Sequence, residues 1–216
     1  VCSTGDLEET KKNRMFLFRN SYFANTPFHL ACVGGNGEIL RYLLSLEEAT
    51  VENVNQFNHK MKTPLMVSCQ NGSLNCVKAL IGSSKKYIIN DRFGNSPLIY
   101  AAMCGHLDIV NYLLTIDGAM INHETTKQMN AITAAVLNKH HDIIQFLINN
   151  GALTFYNDNK LADLFLECCK TDDMKTIKIL DSCCSIPYHQ KCAFNSNLTW
   201  GDVYFQQACQ LESDQL

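Results

Sequence analysis

The sequence lacks the features by which membrane proteins and nucleic-acid-binding proteins are recognised. No apolar run approaches 18 residues, so no segment is predicted to insert directly into a membrane. The 18 Lys and Arg residues are scattered among 21 Asp and Glu residues and form no basic stripe. Together with a net charge of −3, this scatter gives no reason to expect a nucleic-acid partner.

Motifs of the common enzyme classes are also missing. The chain has no phosphate-binding loop, no G-x-S-x-G nucleophile motif and no dinucleotide-binding glycine pattern. No pair of carboxylates stands at a spacing that suggests acid–base chemistry. The sequence therefore predicts no catalytic residues, no cofactor and no small-molecule substrate, and this chain is not expected to be an enzyme.

Metal-binding cysteine pairs are missing too, although the chain contains 11 cysteines. No C-x-x-C pair occurs anywhere in the sequence. The candidate zinc ligands are Cys183 or Cys184, His189 and Cys192, with Cys168 or Cys209 as a fourth. Because their spacings match no standard zinc finger, we predict ordinary buried thiols and no metal site.

A repeating pattern is present instead, and it is clearest between Asp91 and Ala119. Ser96 is a typical helix N-cap, and Pro97 suits the first helical position. Small, turn-forming and apolar residues follow at helical spacing: Ala101, Ala102, Gly105, Leu107, Ile109, Val110, Leu113 and Leu114. The pattern predicts two short antiparallel helices, the first ended by a left-handed glycine and the second beginning at Leu107.

The same pattern recurs along the chain at a nearly constant interval. The predicted capping residues are Thr26, Thr63, Ser96, Asn130 and Asp163, which are separated by 37, 33, 34 and 33 residues. Cysteines stand at its small-residue positions: Cys32, Cys69, Cys168 and Cys169. A thiol there acts as a slightly enlarged alanine, so we expect reduced cysteines and a cytosolic protein.

The repeat resembles the ankyrin repeat, whose pattern is D-x-x-G-x-T-P-L-H-x-A-A-x-x-G-H-L-E-I-V-x-L-L with a period near 33. The matching residues are Asp91, Gly94, Ser96, Pro97, Leu98, Ala101, Ala102, Gly105, His106, Leu107, Asp108, Ile109 and Val110. Ser96 replaces the threonine of the pattern, and Ile99 replaces its histidine. The resemblance implies an all-α repeat solenoid of stacked helix-turn-helix units joined by β-hairpin-like loops.

Repeat boundaries follow from this pattern. We assign a partial amino-terminal repeat or cap to 1–22, repeat 1 to 23–57, repeat 2 to 58–90, repeat 3 to 91–122, a degenerate repeat 4 to 123–157, a degenerate repeat 5 and loop to 158–197, and a partial carboxyl-terminal repeat or cap to 198–216. Asn55 is expected in the hairpin loop that leads into repeat 2, and Lys139 replaces the turn glycine of repeat 4.

The histidines are interpreted as structural residues. The resemblance implies that His29, in the sequence Thr26-Pro27-Phe28-His29, bonds backbone groups of the neighbouring turn. His106 and His140 occupy the same repeat position, so the pair His140–His141 is predicted to be one structural histidine and one exposed one. Side chains of adjacent helical residues diverge, which disfavours a shared metal.

The resemblance also implies a protein partner, bound on the concave face that first helices and hairpin tips form. The candidate partner-binding residues are Tyr22, Phe23, Lys60, Lys62, Arg92, Phe93, Asn95 and Met103. Two structural alternatives stay open. Tyr22 and Phe23 could instead cover the end of repeat 1, and Phe93 could fold onto its own repeat.

Two functional classes remain. The favoured one is a non-catalytic protein–protein interaction module acting as scaffold, adaptor or inhibitor. The alternative is a recognition domain of a larger enzyme, such as an acyltransferase or kinase, or of an ion channel. The absence of an initiator Met at Val1 suggests a processed or excised piece. A cytoplasmic location is expected, with the nucleus or the cytosolic part of a membrane protein as alternatives.

Overall fold

The computed structural model describes residues 6–12, 25–83, 90–116, 121–154, 156, 158–171, 173–183, 191–192 and 195–199. Its helices are α1 (Leu7–Lys12), α2 (Pro27–Val33), α3 (Gly37–Leu44), α4 (Val51–Val54), α5 (Pro64–Gln70), α6 (Leu74–Gly82), α7 (Pro97–Met103), α8 (Leu107–Leu114), α9 (Ala131–Leu137), α10 (His141–Asn149), α11 (Asp158–Lys170) and α12 (Met174–Cys183). Its strands are β1 (Lys191–Cys192) and β2 (Asn195–Thr199). They pair antiparallel with an irregular register. The chain divides into two compact units, 1–131 and 132–216.

Helices α2, α5 and α7 begin in the same way. Each has proline at its first position, and the preceding Thr26, Thr63 or Ser96 accepts a backbone N–H bond from the third helical residue. The side-chain oxygen satisfies a donor that the helix leaves unpaired, and proline has no donor to satisfy. These contacts confirm the predicted caps at all three positions.

The junction between α7 and α8 also follows the sequence pattern. Gly105 adopts φ = +82°, the left-handed conformation predicted for it, and α8 begins at Leu107. Ala101 and Ala102 are fully buried. Their small side chains let the first helix of the next repeat approach closely, so the helix faces are as predicted.

The first unit is an all-α repeat solenoid. First helices pack on first helices, α2 against α5 and α5 against α7, while the second helices α3, α6 and α8 pack in a parallel series. Large side chains that are fully buried fill the space between the two rows: Phe28, Ile39, Leu40, Leu43, Met66, Leu80, Ile99 and Ile109. Helix α1 packs on α3. Burial of these apolar side chains is the main source of stability, at roughly 1.5–3 kcal/mol for each large one.

The second unit, 132–216, includes most of degenerate repeat 4 and the whole of degenerate repeat 5. Helix α12 packs on both α10 and α11. Lys139 adopts φ = +57°, so it keeps the left-handed turn although it replaces glycine. His141, predicted to be the exposed member of its pair, is only 22% exposed because its Nε2 lies 2.8 Å from Asp173 Oδ1. That part of the histidine prediction is wrong: a carboxylate 32 residues away supplies the partner.

Two further predictions are wrong. Asp163 is not a cap but an exposed residue inside α11, which begins five residues earlier at Asp158. No proline fixes the start of a helix near Asp163, and the apolar spacing extends backwards through the buried Leu161 and Ala162.

Asn55 is not the hairpin residue. It ends α4, its Nδ2 donating to Val51 O at 2.7 Å, because the longer first spacing accommodates this extra helical turn.

The cysteines whose side chains are described are free thiols, and the four at small-residue positions are buried. The side chain of the zinc candidate Cys192 is not among them. Burial raises the pKa of Cys168 to about 12 and also raises that of Cys69, as expected for inert packing groups. Within the described ranges, no group of three or more His, Cys, Asp or Glu residues could hold a metal ion. The zinc candidates Cys184, His189 and Cys209, and the partial repeat at 198–216 except for β2, lie outside those ranges. No described helix has the length and hydropathy to cross a membrane.

Candidate protein-binding surface

Three turns of one geometry project from the first unit: tip A (58–62), tip B (91–95) and tip C (125–129). In each, the side-chain oxygen of the first residue accepts backbone N–H bonds from the third and fifth residues, at 2.8 to 3.3 Å. The first residues are Asn58, Asp91 and Thr125. This is a local side-chain-to-backbone motif, so each tip is fixed by its own bonds.

The fourth residue of each tip has a positive φ. Gly94 of tip B has φ = +82°, while Met61 of tip A and Gln128 of tip C have φ = +57° and +59°. Glycine adopts this conformation without cost, but a side chain makes it unfavourable by about 1–2 kcal/mol. Only tip B is therefore built without backbone strain.

Histidines attach the tips to neighbouring repeats. His29 Nδ1 accepts the N–H of Thr26 at 3.1 Å, so its Nε2 carries the proton and donates to Lys62 O at 2.9 Å. His123 Nε2 donates to Gly94 O at 2.8 Å. The role that the resemblance implied for His29 is therefore observed. His123 was not predicted, because the repeat pattern has no histidine at that position.

A polar network joins tip A to tip B. Lys62 Nζ lies 2.5 Å from Gln70 Oε1 and 4.3 Å from the centroid of the Tyr100 ring. The Tyr100 hydroxyl donates to Asp91 Oδ2 at 2.7 Å, and Asn95 Nδ2 donates to the same oxygen at 3.0 Å. Lys62 is thus held over an aromatic face, an arrangement worth about 0.5–2 kcal/mol.

Ionisation in this network follows from burial and hydrogen bonding. Burial lowers the pKa of Lys62, with the nearby Lys60 adding to the effect. Burial alone would raise the pKa of Asp91, but hydrogen bonds from Asn95, Tyr100 and Phe93 outweigh it and lower that pKa. Burial and the adjacent Asp91 raise the pKa of Tyr100. Asp91 therefore stays a carboxylate and Tyr100 a hydroxyl donor at neutral pH.

The candidate partner-binding residues differ in exposure. Phe93 is 59% exposed, so most of its ring is uncovered by its own repeat. Lys60 and Arg92 are exposed, whereas Lys62, Asn95 and Met103 are half-buried. Tyr22 and Phe23 lie outside the described residues.

The structure brings some of these residues together and adds others. Lys62 and Asn95 share the polar network, and Arg92 adjoins Phe93 on tip B. Tyr100 was not predicted to belong to this surface. An aromatic residue on a first helix gives no local sign that its hydroxyl reaches a tip nine residues earlier. Chemically, the arrangement offers a partner one cation held in place at Lys62, two exposed cations at Lys60 and Arg92, and the uncovered ring of Phe93.

The fold and these tips define an ankyrin-type repeat protein, and sequence comparison agrees. The family described as Ankyrin repeats (3 copies) matches residues 7–91, 28–125 and 84–160. These overlapping matches cover well over half of the chain. The chain belongs to the ankyrin repeat family.

Individual relatives share the repeats at moderate identity. The chain is 30% identical over 132 residues to the nuclear factor NF-kappa-B p105 subunit of Rattus norvegicus, a match covering 59% of this chain and 14% of that protein. It is 28% identical over 200 residues to the poly [ADP-ribose] polymerase tankyrase of Caenorhabditis elegans, covering 71% and 9%. The chain thus spans a small part of these relatives' length.

A solved structure shows the same fold. The crystal structure of the human ASB11 ankyrin repeat domain superposes with a TM-score of 0.69, covering 94% of this chain and 88% of that domain. The sequence identity is 20%, so this likeness bears on the fold alone.

Proposed function

We propose that this chain is a non-catalytic protein–protein interaction module, acting as a scaffold, adaptor or inhibitor in the cytoplasm. The partner binds across tips A and B and the first helices α5 and α7. Ankyrin repeats generally serve as such modules, which supports the class of function. The proposed contact residues are Lys60, Lys62, Arg92, Phe93, Asn95 and Met103, together with Tyr22 and Phe23.

The observation that carries this proposal is the exposure of Phe93. A phenylalanine ring that is 59% exposed leaves apolar surface in water, which is unfavourable at about 25 cal/mol per Å². The backbone beneath it is fixed by Asp91, whose Oδ1 accepts the N–H groups of Phe93 and Asn95 at 2.8 Å each. An aromatic side chain on a fixed turn loses little conformational freedom on binding, as is typical of interface anchors.

Photo-cross-linking tests the location of the surface. A photoreactive phenylalanine analogue is placed at Phe93 in one preparation and at Leu107 in another. Leu107 is also an exposed apolar residue but lies on the second helix α8. We expect a partner retained on the immobilised protein to cross-link from position 93 and not from 107. Cross-linking from 107 alone would place the partner on the other side of the repeats and overturn the proposal.

A second candidate function is recognition within a larger enzyme. The match to tankyrase, whose name describes a polymerase, covers 9% of that protein, so a repeat segment can be a small part of an enzyme. In that case the same surface would select the substrate for a catalytic domain elsewhere in the chain. Sequencing the full transcript tests this candidate, since a reading frame without a catalytic domain would remove it.

A further inference from the structure

Each of the three tips presents one exposed cation. Lys60 lies on tip A, Arg92 on tip B and Lys127 on tip C, at the second or third residue of the turn. We call these three residues the basic tip row. Among the described residues none of them forms an ion pair. The row is notable in a chain whose net charge is −3.

Consecutive tips are linked, tip A to tip B through Tyr100 and tip B to tip C directly, so the row is one continuous feature of the first unit. Lys62 of tip A lies over the ring of Tyr100, and the Tyr100 hydroxyl donates a hydrogen bond to Asp91 of tip B. Gly94 of tip B lies against Thr125 of tip C: a Cβ built on the glycine would be 3.4 Å from Thr125 Cα. The three cations therefore stand one repeat apart on adjoining turns.

Two acidic residues, Asp91 and Glu124, lie in or directly beside the tips, and both accept hydrogen bonds. Glu124 precedes tip C and is half-buried, and its Oε1 accepts a bond from Asn130 Nδ2 at 3.4 Å. The only acidic residue within the tips, Asp91, is 7% exposed, and hydrogen bonds occupy both of its carboxylate oxygens. The first helices α2, α5 and α7 contain no charged residue. Carboxylates such as Glu38 and Asp108 are found instead in the first turns of the second helices.

We infer that the partner contributes an extended, acidic peptide segment that carries a large apolar side chain. This inference rests on the proposed function of the same surface. Carboxylates spaced along the segment pair with the basic tip row, and the apolar side chain covers Phe93, which adjoins Arg92. The uncharged first helices bind the remainder of the segment. Favourable pairing of charges steers the encounter and fixes the register of the segment on the repeats.

Carboxylates fit this row better than phosphate groups do. A phosphate group is commonly bound by several converging donors, often a cluster of arginines, whereas each tip offers a single exposed cation. A nucleic acid requires many phosphate contacts for stable binding at physiological salt, and the chain as a whole is acidic. The row therefore favours an Asp- and Glu-containing protein segment.

Peptide selection tests the inference. A displayed library of random peptides, long enough to span three repeats, is selected on the wild-type chain and on a charge-reversed variant with Lys60→Glu, Arg92→Glu and Lys127→Glu. A matched control carries Lys12→Glu, Arg41→Glu and Lys78→Glu, three exposed cations on α1, α3 and α6. Circular dichroism verifies that each variant is folded.

We expect peptides selected on the wild-type chain to be rich in Asp and Glu around an aromatic or large aliphatic residue. Such a peptide should bind the charge-reversed variant at least about tenfold more weakly, and the control variant nearly as well as wild type. Its affinity for wild type should fall as salt is raised. The single variant Lys60→Glu alters no side chain that forms a hydrogen bond or ion pair with the described residues, so it should fold. It should slow association of the peptide, and it serves as the test if the triple variant is unfolded.

Two kinds of failure are distinguishable. If the selected peptides depend on Phe93 but are neutral or basic, the acidic partner is excluded while the proposed function stands. If no selected peptide responds to Phe93→Ala or to the charge-reversed variant, the proposed surface itself fails. Oligothymidylate is tested in parallel; binding that is tighter than that of any selected peptide and is lost on charge reversal would replace the peptide by a nucleic acid.

Discussion

His29 Nε2 lies 2.9 Å from Lys62 O and joins the first helix of one repeat to the tip of the next. Its other ring nitrogen accepts the Thr26 N–H, so that bond requires the neutral ring with the proton on Nε2. Burial lowers the pKa of His29 from its ordinary value of 6.5 to about 4, although the bond to Lys62 opposes the shift. Protonation would place a charge on this buried ring and remove the acceptor of the Thr26 N–H, so the stability of the fold is sensitive to pH at His29.

Stability should fall as the pH is lowered from 6.5 towards 4. Between these values the unfolded chain binds a proton at His29 and the folded chain does not, so acid favours unfolding. The contribution is fully present above pH 6.5, and its loss amounts to about 3 kcal/mol below the folded pKa. Urea unfolding measured across this range gives the slope.

His29→Met is the matched variant, because Met66 occupies the same position in the next repeat and accepts the N–H of Thr63. The variant should be less stable near neutral pH by about 1–3 kcal/mol, since the Lys62 carbonyl loses its donor. Its difference from wild type should shrink in acid. A pH profile parallel to that of wild type would contradict the assignment of the titrating group.

Gln128→Gly should stabilise the chain. Gln128 is exposed and adopts φ = +59°, a conformation that glycine at the equivalent Gly94 adopts freely. Glycine relieves this strain, but it also has greater conformational entropy in the unfolded chain, which offsets part of the gain. The free energy of unfolding should therefore rise by about 0.5–1 kcal/mol. Gln128→Ala removes the same side chain without relieving the strain and should give no such gain. Equal effects of the two variants would refute the backbone argument.

Ala101→Leu should destabilise the first unit by about 1–3 kcal/mol. Ala101 is fully buried between packed helices, so the added carbons have no space. Met103→Leu, on the same helix but half-buried, conserves side-chain volume and should cost much less. Chemical denaturation compares the two; an unchanged midpoint for Ala101→Leu would show that the helix face is wrongly placed.

Tyr100→Phe should raise the pKa of Asp91 towards its ordinary value. Burial disfavours the Asp91 carboxylate, and the hydrogen bonds from Asn95 and Tyr100 oppose that effect. Removing the hydroxyl leaves Oδ2 with the Asn95 amide alone and should cost about 1–2 kcal/mol of stability at neutral pH. NMR titration of the Asp91 carboxyl measures the shift. A pKa unchanged from wild type would mean that the 2.7 Å bond does not form in solution.

Features set by local chemistry were predictable from sequence. The caps at Thr26, Thr63 and Ser96 each require only a hydroxyl followed by proline. The turn at Gly105 requires only a glycine, which readily adopts the positive φ found there. Local signals failed at Asp163, which resembles a cap but lies inside a longer helix because nothing near it stops helix formation.

The tips were only partly predictable, because their chemistry is shared between distant residues. Asn58 forms the turn that was assigned to Asn55, since the inserted helix α4 shifts the register. Met61 holds a left-handed position without the glycine that would reveal it. The bond from Tyr100 to Asp91 arises from folding and leaves no pattern in the sequence.

The affinity of the partner for Phe93→Ala tests the central claim most directly. Leu107→Ala is the control, since it removes an exposed apolar side chain from a second helix. We expect Phe93→Ala to weaken binding by about 2 kcal/mol or more, roughly thirtyfold, and Leu107→Ala to change it little. Unfolding should be nearly unaffected in both. If Phe93→Ala instead destabilises the fold and leaves the affinity of the folded protein unchanged, Phe93 is a structural residue and the proposed surface is wrong.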